Sequence, residues 1–235
     1  MEEKRALREV NPDFRALISA VQPEDLLKRS QPFRALMMHY ECAMREIQTK
    51  FEVLNAEFTV MHDYNPVESI KTRLKSPISI AGKLKRKGIE PTLDAIYENI
   101  NDIAGVRVIC SFLDDIYALA DMLLRQDDIT LINKKDYIQN PKKSGYRSLH
   151  LIVEVPIFLT DSTRRMRVEV QLRTIAMDFW ASLEHKSKYK KQVRNERVIG
   201  QELKYCAEQI AVLDMRMQQL HRYIRGGVAL DEEDA

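Results

Sequence analysis

From Ile103 to Cys110 the chain reads IAGVRVIC, β-branched and nearly all apolar, the composition of a strand buried within a sheet. Asp114–Arg125 follows with helical periodicity, which gives a β-then-α unit. Three more strands are expected at Ile129–Ile138, Arg147–Pro156 and Arg165–Arg173, separated by the turn-rich QNPKKSGY and the polar FLTDSTR, and the last two form a hairpin. Upstream, Glu68–Lys75 reads as extended, Ser76-Pro77 opens a short helix that Gly88 closes, and Thr92 caps another. Between Ser30 and Phe58 there is no glycine, and Pro32 falls in the first turn after a Ser30 cap. Phe33, Leu36, Met37, Tyr40, Met44, Ile47, Phe51 and Leu54 recur at three to four residues, the stripe of a long amphipathic helix. Ile175–Lys190 and Val193–Ile224 return to helical spacing, Gly226-Gly227 ends the order, and DEEDA is left as an acidic tail.

The expected fold class is α/β (α+β), a mixed β-sheet of about five strands with packed helices. A helical amino-terminal extension (1–65), a core (66–190), a carboxy-terminal helix (191–225) and a flexible acidic tail (226–235) divide the chain. Helices that extend beyond the sheet need a cover for their apolar faces, and another subunit is one answer.

With 235 residues, 45% of them hydrophobic and 31% charged, the chain can bury a sizeable core, which excludes a stapled mini-scaffold and wholesale disorder. The longest apolar stretch, Leu149–Leu159, is broken by His150, Glu154 and Pro156, far short of the roughly 20 residues that span a bilayer. No membrane partner is expected. Cys42, Cys110 and Cys206 are scattered and odd in number, and no apolar signal core follows the start, so a reducing, cytoplasmic setting fits. A net charge of +2 from 37 basic and 35 acidic residues is too weak a field to argue for generic nucleic-acid binding, and RNA binding is not expected.

The distribution of charge says more than its sum. From Lys71 to Gly88, KTRLKSPISIAGKLKRKG holds seven basic residues and no acid. Alternation puts Lys71, Arg73 and Lys75 on one face of the extended part, while Lys83 and Lys87 lie one helical turn apart. Such rows can converge on a polyphosphate beside the free N–H groups of a helix start, although a charge run alone is more often a solvated face. Neither GxxxxGK[ST] nor GxGxxG occurs, which excludes a P-loop or Rossmann mechanism. Asp102 heads DIAGVRVIC, and Glu169 alternates with apolar neighbours in RVEVQLR. One carboxylate among cations is commonly a salt-bridge partner, but two beside a polyphosphate cradle suit Mg²⁺, which takes one or two protein carboxylates plus phosphates. For Asp102 and Arg107 to reach the same site, an irregular strand start or a bulge at Gly105 is needed. KDYIQNPKKSGYRSLH brings Lys142, Lys143, Ser144, Gly145, Tyr146, Arg147 and His150 into a turn that enters a strand. A turn of this kind can stack a base and hold phosphates, or be a basic turn with a packed tyrosine. In FWASLEHKSKYK, Glu184 and Lys188 stand at i, i+4, which could be surface pairing.

Taken in order, RLKSPISIAGKLKRKG, NDIAGVRVIC, KDYIQNPKKSGYRSLH, VEVQLRT and FWASLEHKSKYK closely resemble the synthetase domain of RelA/SpoT-type alarmone synthetases, over about residues 66–190. The short helical flanks resemble the stand-alone small alarmone synthetases, with no room for the metal-dependent hydrolase domain of the long members. The resemblance implies a nucleotidyltransferase-like synthetase fold and transfer of pyrophosphate from ATP to the ribose 3′-hydroxyl of GDP or GTP, giving ppGpp or pppGpp and AMP. It further implies that Arg73, Lys75, Ser79, Lys83, Arg86 and Arg107 contact ATP, and that Asp102 and Glu169 serve Mg²⁺, with Glu169 orienting or deprotonating the 3′-hydroxyl. Tyr146 matches a guanine-stacking tyrosine, with Lys142, Ser144, His150, Gln171 and Arg173 in the acceptor motifs. Many members carry Asn where this chain has Ser144. Small synthetases of this kind form tetramers, so a homo-oligomer is expected. Rival readings are pyrophosphate transfer to the 3′ end of tRNA, against which Tyr146 argues, nucleotidyl transfer with attack on the α-phosphorus, and a nucleotide- or RNA-binding module without turnover.

Overall fold

The computed structural model describes residues 31–62, 64–189 and 195–226; the Ser30 cap, the rest of the first thirty residues, 190–194 and the acidic tail lie outside the described residues. The first described helix, α1 (Gln31–His62), runs past Phe58 and lays its apolar stripe across the sheet, with Tyr40, Ile47 and Phe51 fully buried. There follow β1 (Val67–Leu74), α2 (Pro77–Lys87), α3 (Leu93–Asn99), β2 (Ala104–Cys110) and α4 (Leu113–Leu124). β3 (Thr130–Asp136), β4 (Leu149–Phe158), β5 (Thr163–Thr174), α5 (Ile175–Tyr189) and α6 (Glu196–Gly226) complete the order. The strands form one mixed sheet in the order β1-β2-β5-β4-β3, in which β2 and β5 run parallel and the other neighbours antiparallel. The mixed five-stranded α+β architecture is the one expected.

Local chemistry sets the element ends. Ser76 caps α2, its hydroxyl accepting from the Ser79 N–H at 3.3 Å, with Pro77 at the first helical position. Gly88 ends that helix at φ +66°, a left-handed conformation that costs glycine little. The Thr92 hydroxyl accepts from the Ala95 N–H at 3.0 Å and starts α3. The β4–β5 hairpin is longer than the polar FLTDSTR stretch suggests. Phe158 and Thr163 still pair, because the Leu159 N–H reaches the Ser162 carbonyl at 2.8 Å and closes the turn. Arg147 and Ser148 precede the β4 ladder, and the Ser148 carbonyl accepts instead from the Tyr137 N–H at 3.0 Å.

The two sheet faces differ in kind. Val106, Val108, Leu151, Val153, Val168, Val170 and Leu172 point toward the helices and are buried, whereas Arg107, His150, Glu169 and Gln171 alternate with them onto the other face. β1 is exposed along half of its length and β3 along nearly all of it: Lys71 and Arg73 stand on β1, and Lys134 and Lys135 on β3. Each outer strand also carries a register irregularity, between Val67 and Ser69 in β1 and between Leu131 and Asn133 in β3.

α6 does not project away from the core. Trp180 Nε1 donates to the Leu203 carbonyl at 2.8 Å, Thr174 Oγ1 donates to Asp214 at 2.6 Å, and Gln218 and Arg222 both bind Asp114. The helix thus docks through a partly polar stripe, and Leu213, Met217, Leu220 and Ile224 remain exposed on another flank.

Near its start α6 meets the turn after β3. Gly145 sits at φ +89°, donates to the Lys142 carbonyl at 2.8 Å, and lies so close to α6 that an added Cβ would fall 2.5 Å from the Ala207 Cβ. Gly145→Ala is therefore expected to lower stability in urea denaturation by about 2–4 kcal/mol, from backbone strain and overpacking together. Adding Ala207→Gly is expected to recover the packing part and leave the backbone part.

Candidate active site

The parallel pairing of β2 with β5 lines up two transverse rows on the open face. One runs Lys71, Arg107, Gln171 and His150 across four strands; the other runs Arg73, Gly105, Glu169 and Ile152. Gly105 pairs in register on both sides, and the space where its side chain would stand opens the floor between Arg73 and Glu169. A cleft of about 300 Å³ lies here, lined by Lys71, Arg73, Lys75, Arg107, Asp102, Glu169, Gln171 and the backbone around Gly105. A larger hollow of about 440 Å³ between α1 and α4 is lined mainly by Leu54, Phe58, Met61 and Met122. Its one cation, Arg125, pairs with Asp121 at 3.2 Å, so it offers no convergent charge.

Asp102 reaches the cleft because it lies in the loop before β2, which begins only at Ala104. The irregular strand start is thus the answer to the alternation problem, and no bulge occurs at Gly105. Lys75 and Lys83 grip the two Asp102 oxygens at 2.9 and 2.7 Å, and the Lys75 N–H donates to the Ile103 carbonyl at 2.8 Å, fixing the loop to the end of β1. Burial pushes the Asp102 carboxyl upward, but the hydrogen bonds and charges of Lys83 and Lys75 outweigh it and hold it below its ordinary range.

At the other end of the cleft a chain of hydrogen bonds begins at Glu169. Gln171 Nε2 donates to its Oε2 at 3.0 Å, and His150 Nδ1 lies 3.3 Å from Oε1. His150 Nε2 is 2.8 Å from the Tyr146 hydroxyl, which accepts from Arg173 at 2.6 Å. This network fits the tautomer with the proton on Nδ1: Arg173 donates to Tyr146, Tyr146 to His150, and His150 to Glu169. Burial acts to raise the Glu169 carboxyl and the Asp102 charge adds to that, yet the hydrogen bond and electrostatic attraction of His150, with the Gln171 amide, bring it below its ordinary value. Lys142 Nζ stands 4.6 Å from the ring centroids of both Tyr137 and Tyr146, a cation–π arrangement.

The fold therefore gathers Arg73, Lys75, Lys83, Asp102, Arg107, Glu169, Gln171 and, around Tyr146, Lys142, His150 and Arg173. Ser144 stands half-buried in the same turn, two residues before Tyr146. Ser79 Oγ pairs with Ser76 Oγ at 2.9 Å at the start of α2, and Arg86 is exposed one turn beyond Gly82; neither lines the cleft. Lys87, expected in the second cationic row, instead donates to the Asn99 carbonyl at 2.9 Å. The Lys188 side chain lies outside the described residues. Two contributors escaped the sequence reading. Tyr137 packs edge-on to Tyr146 and His150, and Asp178 binds Lys71, Arg107 and Arg173. An acid in the first turn of a helix reads in sequence as ordinary dipole pairing, and nothing in the sequence connects it to a cation five residues earlier.

Two carboxylates on one cleft, with no thiol, form a hard oxygen donor set that fits Mg²⁺ when substrate phosphates complete its shell. Among the described residues no group of three or more His, Cys, Asp or Glu side chains forms a self-sufficient metal cage.

The family model described as "Region found in RelA / SpoT proteins" matches residues 72–194. The GTP pyrophosphokinase YwaC of Bacillus subtilis (strain 168) is 44% identical over 200 residues, which cover 85% of this chain and 95% of that protein. The crystal structure of small alarmone synthetase 2 from Bacillus subtilis aligns with a TM-score of 0.73 at 43% identity, over 82% of this chain and 99% of that one. Small alarmone synthetase 1 from the same organism, bound to its product pppGpp, aligns with a TM-score of 0.75 at 33% identity, over 83% and 100%.

Because the Asp102 pKa is lowered on folding, the stability it contributes is fully present above its ordinary value of 3.8 and is lost as pH falls through the lower folded value. In urea denaturation from neutral pH down through this window, the wild type is expected to lose more stability than Asp102→Asn, whose amide does not titrate there. Equal losses would show that the lysine pairs do not act on the folded state.

Proposed function

Since the chain belongs to the RelA/SpoT family, we propose that it is a GTP pyrophosphokinase that moves the pyrophosphate of ATP to the 3′-hydroxyl of GDP or GTP, making ppGpp or pppGpp and AMP. What supports this most is that Asp102 and Glu169 line one cleft together with Lys71, Arg73, Lys75 and Arg107. In this reading Lys71, Arg73, Lys75 and Lys83 contact ATP with Arg107 beside its adenine, and Ser79 and Arg86 lie further along the same donor segment. Tyr146 stacks the guanine, and Lys142, Ser144, His150, Gln171 and Arg173 surround the acceptor nucleotide.

Asp102 and Glu169 would hold Mg²⁺, which when bound neutralises the charge of the transferring phosphates. Glu169, anionic at neutral pH and oriented by His150 and Gln171, accepts the 3′-hydroxyl proton as that oxygen bonds to the β-phosphorus. The bond from the β-phosphorus to the oxygen bridging it to the α-phosphate breaks, and AMP leaves with that oxygen. The side chains supply position and charge balance, and no covalent intermediate is needed.

The exposed Leu213, Met217, Leu220 and Ile224, spaced four, three and four residues apart on α6, support a homo-oligomer, which we take to be the tetramer the family implies. The cysteines are free thiols, which suits the cytoplasm; no described helix is long and apolar enough to cross a membrane.

Chromatography of products from purified protein with ATP, Mg²⁺ and GDP or GTP is expected to show AMP and the 3′-pyrophosphorylated nucleotide in equal amounts. Pyrophosphate in place of AMP would mean attack on the α-phosphorus, and β-label arriving on tRNA rather than the guanine nucleotide would move the reading to the tRNA-directed relatives. Asp102→Asn and Glu169→Gln, both nearly isosteric, are each expected to cut turnover by about a thousandfold or more with the fold kept. Tyr146→Ala is expected to raise KM for the guanine nucleotide by roughly 5- to 100-fold, the worth of one base stack, with a smaller effect on ATP.

A further inference from the structure

Asp178 opens the first turn of α5 just after β5 ends, and only 8% of it is exposed. Three cations from three strands converge on it. Arg173 on β5 donates to Oδ1 at 3.1 Å, Arg107 on β2 donates to the same oxygen at 3.5 Å, and Lys71 on β1 reaches Oδ2 at 3.2 Å. Two of these, Lys71 and Arg107, line the cleft where the donor phosphates are placed. The third, Arg173, continues through the Tyr146 hydroxyl to His150 and through Gln171 to Glu169. The carboxylate is thus the joint between the two halves of the site.

The electrostatics need such a joint. Arg173 is 4% exposed, and Arg107 beside it is pulled below its ordinary basicity by burial and by the Arg173 charge, with Asp178 acting in the opposite direction. The Nε atoms of both arginines are buried without a hydrogen-bond partner. Their terminal nitrogens, and the carboxylate those share, are what hold the guanidinium planes.

Resting on the pyrophosphokinase reading, we propose that Asp178 is a positioning residue: it locks Arg107 on the donor side and Arg173 on the acceptor side into one unit and so fixes the spacing of the two nucleotides. It touches neither nucleotide itself. Transfer requires the 3′-oxygen and the β-phosphorus to meet in line, and small displacements of the groups that hold them are costly.

The test uses the full chain with Asp178→Asn, which removes the charge at nearly constant volume, and Asp178→Glu, which keeps the charge but moves it by one methylene. Steady-state KM is measured for ATP and for the guanine nucleotide separately, and calorimetry reads the binding of GDP alone and of a non-hydrolysable ATP analogue alone. In Asp178→Asn kcat is expected to fall and both KM values to rise together by about tenfold, and in Asp178→Glu by about threefold. If the Asn variant does not fold, the Glu variant decides by the same paired shift. A lowered melting temperature with kcat and both KM values unchanged, or a rise in KM for one nucleotide only, overturns the proposal. Should the wild type form no AMP, the functional reading falls instead, and the two calorimetric affinities still decide whether Asp178 joins two subsites.

Discussion

The parallel pairing of β2 with β5 is the constraint on which the rest of the structure depends. It sets Gly105 against Glu169 and Arg107 against Gln171, and through the antiparallel partners it adds Arg73, Lys71 and His150 to the same two rows. Because side chains alternate across a strand, a slip of one residue would exchange the charged row for Val168, Val170 and Leu172 and place charge in the core. The burial of those valines and leucines beneath α1 therefore enforces the geometry of the cleft. Core packing and site geometry are here one requirement.

The charges in the cleft are balanced locally. Asp102 answers Lys75 and Lys83, Asp178 answers Lys71, Arg107 and Arg173, and Glu169 is satisfied by His150 and Gln171. A site dense in cations is stable on its own only if they are held apart or neutralised, and Asp102 and Asp178 do so from a loop and a helix start. The arrangement keeps positive charge at the place where phosphates are proposed to bind, with Asp102 or Asp178 beside each of these lysines and arginines to offset the repulsion among them.

Much of this was legible in the sequence where one local rule decides the outcome. The α1 stripe, the Ser76-Pro77 and Gly88 signals that bound α2, and the alternation of RVEVQLR each follow from a single periodicity or cap, so the open-face placement of Glu169 could be read in advance. What escaped depends on several elements at once. Lys87 turns to the end of α3 rather than to the cleft, because the partner that draws it lies twelve residues away. Asp178 acquires meaning only after β1, β2 and β5 have paired. α6 buries Asp214 and Gln218 and leaves Leu213 and Ile224 outside, against what hydrophobic periodicity alone suggests, since Thr174 and Asp114 supply polar partners on the core.

The outermost strands carry their lysines and arginines, and their irregular pairing, where another chain's strand could otherwise be added. A hydrated ammonium on a bare backbone ladder discourages lateral accretion, and a misaligned residue spoils the template. On β1 that guard is formed by Lys71 and Arg73, the very side chains that border the cleft. Substituting them with apolar residues would accordingly forfeit more than affinity for anions: the molecule would gain a greasy rim along which copies of itself could polymerise.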